Sequence, residues 1–204
     1  VAYRGDVPSV ADLPQPPSPN GKEVFIPVTR ADWRAWLQAN SARNEGVWVV
    51  YCKLTSPVDG PTHEDLVEEA LCFGWIDSLT KRVDQHRLIQ WYTPRRKGAQ
   101  WSRVNKRRIE RLVAAGLMHE RGQAVIDAAK ADGSWTLADA VEDLIVPAEL
   151  EEAFAAAPAA RAAYEALAPS IKTQHIWAIY SAKRPETRSK RAAALVEELS
   201  SASR

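Results

Sequence analysis

Four prolines divide the C-terminal part of this chain into segments of helical length. They stand at positions 147, 158, 169 and 185, each before an alanine-rich or amphipathic run. Proline is tolerated in the first turn of an α-helix, where its missing amide hydrogen has no partner, but it breaks a helix interior. The prolines therefore predict helix starts. The helices predicted from them are 148–157, 159–168, 170–182 and 185–199. Two earlier helices, without a starting proline, are predicted at 102–115 and 121–131.

The N-terminal half has strand patterns instead. Residues 47–54 are dense in β-branched and aromatic side chains, which favours a strand buried on both faces. Residues 75–83 and 88–93 flank a polar turn and predict an antiparallel hairpin. Side chains alternate along a strand, so Asp77 and Lys81 would share one face, with Trp75 and Leu79, if no bulge intervenes.

Two capping boxes mark helix starts in this half. Thr29 precedes Asp32 by three residues, and Thr62 precedes Asp65 by three. The second helical stripe ends at Gly74, a residue suited to the left-handed position after a helix. His63 falls in the first turn of that helix, where its acidic neighbours complement the helix dipole. This explanation gives His63 no functional role.

These patterns predict an α+β fold: a small, mostly antiparallel sheet in the N-terminal half and a predominantly helical C-terminal half that packs on it. Residues 1–23 are rich in proline and predict a flexible arm. The remainder, 24–204, is expected to form a single domain. Its sheet-containing half is 24–100 and its helical half is 101–204.

Several classes of protein are excluded by missing patterns. Cys52 and Cys72 have no CxxC spacing, and the four histidines lack the spacing of metal ligands on one helix face. There is no glycine-rich phosphate loop and no GxSxG motif. We therefore expect no metal site and no cofactor. The sequence has no apolar run of membrane-spanning length and no signal-peptide pattern, so we expect a cytoplasmic protein without a membrane span.

Charge and aromatic side chains concentrate between Gly74 and Asn105. Residues 81–111 contain eleven basic and two acidic side chains, whereas residues 132–152 contain seven acidic and no basic ones. The two blocks either face each other in the fold, or the basic block attracts an anionic partner. Both alternatives stay open from the sequence.

Asp77 is the most informative side chain in this segment. A carboxylate in an apolar strand must be paired, hydrogen-bonded or neutralised if it is buried. It forms either a structural ion pair with Lys53, Lys81 or Arg95, or an acid–base pair with one of the lysines. Asp77 and Lys81 are therefore the candidate catalytic residues.

A ligand site is predicted around them. Tryptophans would form its walls, basic side chains would hold an anion, and Asp77 and Asn105 would orient the ligand. The candidate ligand-binding residues are Lys53, Trp75, Asp77, Lys81, Trp91, Thr93, Arg95, Trp101, Ser102 and Asn105. The basic face of the helix at 102–115 carries Arg103, Lys106, Arg107 and Arg111, and is either solvated or a nucleic-acid contact.

Several motifs occur together in one order: Leu-Cys-Phe-Gly-Trp-Ile-Asp-Ser at 71–78, Lys81, Thr-Pro-Arg at 93–95, Trp-Ser-x-x-Asn at 101–105, Arg-Leu-x-x-x-Gly-x-Met at 111–118, Ala-Lys at 129–130, Gly-x-Trp at 133–135 and Glu-Thr-Arg at 186–188. In these motifs the chain resembles the YdeI/OmpD-associated family of bacterial proteins, from Trp33 to Leu199. The family's names refer to bacteriocin protection, association with a porin and tolerance of antimicrobial peptides. The resemblance implies no reaction and no cofactor.

The leading hypothesis is a cytoplasmic stress or antimicrobial-resistance protein of this type, which binds an anionic small molecule or acidic peptide in an aromatic and basic cleft. One alternative is an enzyme that uses the same cleft, with Asp77 and Lys81 as an acid–base pair. A second is a nucleic-acid-associated protein that uses the basic helix face. A third is an adaptor whose basic block docks on a protein partner.

Overall fold

The computed structural model describes residues 7–202. It divides the chain into two compact units. The first comprises the described residues through Ala99 together with Arg103–Gly133, and the second comprises Gln100–Ser102 together with the described residues from Ser134 onward.

The first unit contains a four-stranded sheet and four α-helices among its described residues. These are β1 (Val24–Phe25), α1 (Arg30–Asn40), β2 (Val47–Cys52), α2 (His63–Cys72), β3 (Trp75–Arg82), β4 (Arg87–Pro94), α3 (Arg103–Ala114) and α4 (Glu120–Ala131). The strand order is β1-β2-β4-β3. β1 pairs parallel with β2, and the other two pairings are antiparallel. The predicted α+β class is confirmed, with a mixed sheet.

Aromatic side chains join α1 to one face of this sheet. Trp33 stacks on Trp36 at a centroid distance of 5.2 Å and meets Tyr92 of β4 edge-on at 5.4 Å. The indole nitrogen of Trp33 donates to the carbonyl of Leu66, 3.0 Å away, which ties α1 to α2. Both predicted capping boxes are present, Thr29 with Asp32 and Thr62 with Asp65. The helices therefore begin where their local sequence specifies.

The opposite face of the sheet packs against part of the N-terminal segment. Its buried cluster consists of Val10, Trp48, Val50, Cys52, Val58 and Ile89. The amide of Val10 donates to the carbonyl of Asp59 at 2.8 Å. The predicted flexible arm covers residues 1–23, of which residues 1–6 lie outside the described part. Within its described part, Val10 is fully buried and belongs to the core.

The second unit is helical. Its helices are α5 (Ser134–Glu142), α6 (Ala148–Ala155), α7 (Pro158–Glu165), α8 (Pro169–Tyr180) and α9 (Pro185–Ala202). Three of the four punctuating prolines are the first residues of helices, and Pro147 immediately precedes α6. The helical C-terminal half is thus confirmed. Its core is formed by Leu150, Phe154, Ala160, Tyr164, Ile179, Ala192, Leu195 and Leu199.

None of the helices in residues 7–202 combines the length and the apolar character that crossing a membrane requires.

Candidate functional site

A bulge in β3 decides which side chains surround Asp77. Asp77 lies opposite Tyr92 and Thr80 lies opposite Gln90, so β3 contains one residue more than β4 between these pairs. The alternation reverses across the bulge. Asp77 and Thr80 therefore share the face that carries Tyr92 and Gln90, and Lys81 lies on the other face. The candidate acid–base pair of Asp77 and Lys81 is not brought together.

Like Lys81, the candidates Trp91, Thr93 and Lys53 do not lie beside Asp77. Lys81 places its ammonium 5.3 Å from the ring of Trp48, on the face where Trp91 also contacts Trp48 at 5.2 Å. Thr93 is on this face too, opposite Ile76. The ammonium of Lys53 donates to two backbone carbonyls in the β3–β4 turn, at 2.8 and 3.4 Å.

The last three candidates follow β4. Trp101 and Ser102 belong to the second unit, where Trp101 packs on Trp135 at 5.1 Å. Asn105 belongs to the first unit, and its side-chain oxygen accepts a hydrogen bond of 2.9 Å from Arg108. The structure therefore does not gather all ten predicted residues into one cleft of the first unit.

Of the ten candidate residues, Trp75 and Arg95 do lie together, in a cavity of about 280 Å³ that we call the arginine pocket. Arg43 and Arg121 also line it. The other lining residues are Ser41, Ala42, Asn44, Phe73, Gly74, Pro94, Ala124 and Val125. Three arginines thus line one cavity, and no acidic residue occurs among the described residues that line it.

Local contacts fix these arginines. The amide of Arg95 donates to the carbonyl of Gly74 at 2.9 Å. Gly74 has a φ of +75°, and a Cβ there would lie 2.8 Å from a methyl carbon of Val125, so glycine is required. Arg121 donates to the carbonyl of Ser41 at 2.6 Å. Arg43 pairs with the carboxylate of Glu23 at 2.7 Å and lies over the Trp36 ring, 5.3 Å from its centroid.

Burial and charge distinguish Arg95 and Trp75 within the pocket. Burial lowers the pKa of Arg95 to about 10, although the nearby Asp77 carboxylate opposes this shift. Arg95 therefore stays charged at neutral pH. Trp75 is 1% exposed, and its indole nitrogen has no hydrogen-bond acceptor among the described residues. Such an orphaned donor is uncommon in a protein interior.

Asp77 contacts a second group of polar side chains. Its Oδ2 accepts a hydrogen bond of 2.6 Å from Gln90 and lies 3.8 Å from Nε2 of His63. Burial acts to raise the pKa of Asp77, but the imidazole of His63 and the charge of Arg108 outweigh it, so the pKa lies below its usual range. The partner of Asp77 is thus a histidine that local sequence had explained as a helix-start residue.

His63 also borders a second cavity, of about 380 Å³, which we call the histidine cavity. It is lined by Tyr51, Cys52, Lys53, Leu54, Thr55, Thr62, His63, Glu64 and Leu88. The ring of Tyr51 lies 5.5 Å from the imidazole of His63. Burial raises the pKa of the Tyr51 hydroxyl, despite a hydrogen bond with Thr80. The described residues contain no cluster of side chains suited to a metal ion.

The basic face of α3 is partly neutralised within the first unit. Arg108 bonds to Glu64 of α2 at 2.9 Å, and Arg111 contacts Glu64 at 3.3 Å and Glu68 at 3.0 Å. Lys106 is 8% exposed. Two of the four basic residues considered for nucleic-acid binding are therefore paired or buried.

Comparison with protein families gives two partial matches. Residues 143–201 match the family described as bacteriocin-protection, YdeI or OmpD-associated, which confirms the resemblance for this C-terminal part. Residues 25–125 match a domain of unknown function, DUF8412. Of the motifs that carried the resemblance, only Glu-Thr-Arg at 186–188 lies in the first match. Neither a curated protein nor a solved structure matches the chain.

Proposed function

We propose that this protein binds a small anionic molecule in the arginine pocket, through a carboxylate or phosphate group of the ligand. The observation that carries the proposal is the convergence of Arg43, Arg95 and Arg121 on one cavity with no acidic lining residue among those described. A guanidinium presents a planar fork of donors that matches carboxylate and phosphate oxygens. Several such groups around a concave surface also raise the local concentration of anions.

The size of the pocket limits the ligand. About 280 Å³ is near the lower end of the range for small-molecule sites, so it suits a compact ligand or one end of a longer one. Trp75 and Phe73 add apolar surface beside the guanidinium groups. A small carboxylate or phosphate ester fits this combination better than a whole acidic peptide, of which only a terminal group would enter.

The C-terminal family match supports a biological setting for this binding. A bacteriocin-protection family implies a role in resistance to antimicrobial compounds, and we propose that ligand binding serves that role. We keep the cytoplasm as the proposed location. The free thiols of Cys52 and Cys72, both buried, support a reducing compartment.

The test is ligand-dependent thermal stabilisation at constant ionic strength. Inorganic phosphate, citrate and a short acidic peptide are compared with chloride, for the wild type, Arg121→Ala and Arg107→Ala. Arg107 is exposed on α3 and does not line the pocket, so Arg107→Ala is a control with the same loss of charge. A ligand at 100 times its dissociation constant stabilises the folded state by about 2.7 kcal/mol.

We expect phosphate or citrate to raise the melting temperature of the wild type and of Arg107→Ala. Arg121→Ala should bind at least about tenfold more weakly, since one of the three charges is gone. Equal stabilisation of both variants, or none of the wild type, would refute the proposal. A response to the peptide alone would favour the acidic-peptide alternative.

Nucleic-acid binding has less support, because Glu64 and Glu68 already pair with Arg108 and Arg111.

A further inference from the structure

The contact between His63 and Asp77 has the arrangement of a base and the group that orients it. Asp77 Oδ2 lies 3.8 Å from His63 Nε2, longer than a direct hydrogen bond but within the range of an ion pair. Gln90 holds the same carboxylate oxygen at 2.6 Å, so the position of Asp77 is itself fixed. A carboxylate beside Nε2 favours the tautomer with hydrogen on that nitrogen. Nδ1 is then the atom that accepts a proton.

The side chains of His63 and Asp77 differ in their access to the histidine cavity. The side chain of His63 is 43% exposed and lines the histidine cavity, whereas that of Asp77 is 24% exposed and is absent from the lining. The imidazole is thus accessible to a small molecule in the cavity. Asp77 acts through it.

Tyr51 supplies a donor on the same cavity. Tyr51 is 6% exposed, and its ring lies 5.5 Å from the imidazole. Burial raises the pKa of its hydroxyl, so Tyr51 stays protonated at neutral pH and can donate a hydrogen bond. A base and a protonated phenol therefore border one space.

The remaining lining favours a neutral molecule. Leu54 and Leu88 give apolar surface. Cys52 also borders the cavity, but its side chain belongs to the buried cluster on the opposite face of the sheet, and burial raises the pKa of its thiol, so it is not an activated nucleophile. Lys53 and Glu64 carry charges of opposite sign. In contrast to the arginine pocket, this cavity concentrates no single sign of charge.

We propose that the histidine cavity is a proton-transfer site for a small neutral carbonyl compound, with His63 as general base, Tyr51 as hydrogen-bond donor and Asp77 as positioning residue. The bond that breaks joins a hydrogen to the carbon next to the carbonyl group. The proton moves to Nδ1 of His63, and the electron pair forms a carbon–carbon double bond while negative charge develops on the oxygen. The hydrogen bond from Tyr51 stabilises this enolate.

Return of the proton from His63 to carbon restores the carbonyl compound or an isomer of it. Atoms and electrons balance without an oxidant, a reductant or a second substrate. The reaction class is enolisation, observable as exchange of carbon-bound hydrogen with solvent.

The test follows hydrogen–deuterium exchange of cyclopentanone and acetylacetone in D₂O by proton NMR. The wild type is compared with His63→Gln, Tyr51→Phe and Asp77→Asn, and with an equal concentration of free imidazole. His175→Gln is the matched control, since His175 lies on α8 and does not line the cavity. A positioned general base contributes about 100-fold or more, so we expect at least that acceleration over imidazole.

We expect His63→Gln to abolish the acceleration and His175→Gln to leave it unchanged. Asp77→Asn should lower kcat with little change in KM, because it alters the imidazole and not the cavity wall, and Asp77→Glu should restore part of the rate. Exchange by the wild type no faster than by His63→Gln or imidazole, with both compounds, would overturn the proposal. The two cavities share no lining residue, so this outcome is independent of anion binding in the arginine pocket.

Discussion

At the scale of single residues, Asp77 interacts with polar side chains from several elements of the first unit. It accepts a hydrogen bond from Gln90, faces His63, and interacts electrostatically with Arg95. Burial acts to raise the pKa of Asp77, but the imidazole of His63 and the charge of Arg108 favour the ionised carboxylate and hold the pKa below its usual range.

The depressed pKa of Asp77 predicts a pH-dependent effect of Asp77→Asn. A carboxyl group with a lower pKa in the folded state contributes stability above its unfolded pKa, near 4, and loses it as pH falls through the folded value. Asp77→Asn should therefore be less stable than wild type at pH 7, by on the order of 1 kcal/mol. The difference should shrink below about pH 4. Urea unfolding of both proteins between pH 7 and pH 3 measures it, and a difference that stays constant would contradict the prediction.

Sequence could identify Asp77 and its charge partner Arg95, but not its partner His63. A carboxylate in an apolar strand is visible in the sequence, and so is the planar donor of Arg95 after a Thr-Pro step. His63 meets Asp77 only through packing of α2 on β3, so no local pattern shows it. Arg43 and Arg121 reach the arginine pocket from distant parts of the chain.

At the scale of secondary-structure elements, Gly122 sets how closely α4 approaches α2. A Cβ at this position would lie 2.1 Å from the carbonyl oxygen of Cys72, which is backbone and cannot rotate away. The close approach also allows the amide of His119 to donate to that carbonyl at 3.1 Å.

Gly122→Ala should therefore destabilise the protein by about 1 to 3 kcal/mol, as expected for overpacking. The sign is diagnostic, since glycine to alanine inside a helix normally stabilises by about 1 kcal/mol. Gln123→Ala, on the same helix, is the control and should change stability by less than about 0.5 kcal/mol. Chemical denaturation of the wild type and the two variants measures whether Gly122→Ala lowers or raises the free energy of unfolding. A raised free energy of unfolding would exclude the close approach.

Elements with strong local signals were predicted well. The capping boxes at Thr29 and Thr62 and the β3–β4 hairpin are confirmed near their predicted bounds. β1 was missed because two residues show no periodicity, and α5 was missed because it lies in the acidic stretch, where charge obscures the apolar pattern. The parallel pairing of β1, which makes the sheet mixed, depends on distant chain and has no sequence signal.

At the scale of the whole molecule, the second unit takes residues from two parts of the chain. Gln100–Ser102 come before α3, and the rest follow α4. Trp101 is 1% exposed and packs on Trp135 of α5, so a segment outside the contiguous helical region contributes a buried aromatic contact to that unit.

Trp101→Ala should therefore destabilise the second unit by about 3 to 5 kcal/mol. Hydrogen exchange followed by mass spectrometry should show lost protection in α6–α9 while β2 and β4 keep theirs. Trp91→Ala is the matched control, because Trp91 packs on Trp48 in the first unit and should give the reverse pattern. Loss of protection throughout the chain in both variants would mean that the units unfold as one.

The bulge in β3 also limits how this chain can be aligned with others. In a regular strand, a lysine four positions after an aspartate lies on the same face as that aspartate. Here the additional residue between Asp77 and Thr80 separates Asp77 from Lys81. Two homologues with the same Asp-x-x-x-Lys spacing can therefore present different chemistry. An alignment across β3 therefore needs a one-residue gap where the other chain lacks the bulge, and none where it shares the bulge.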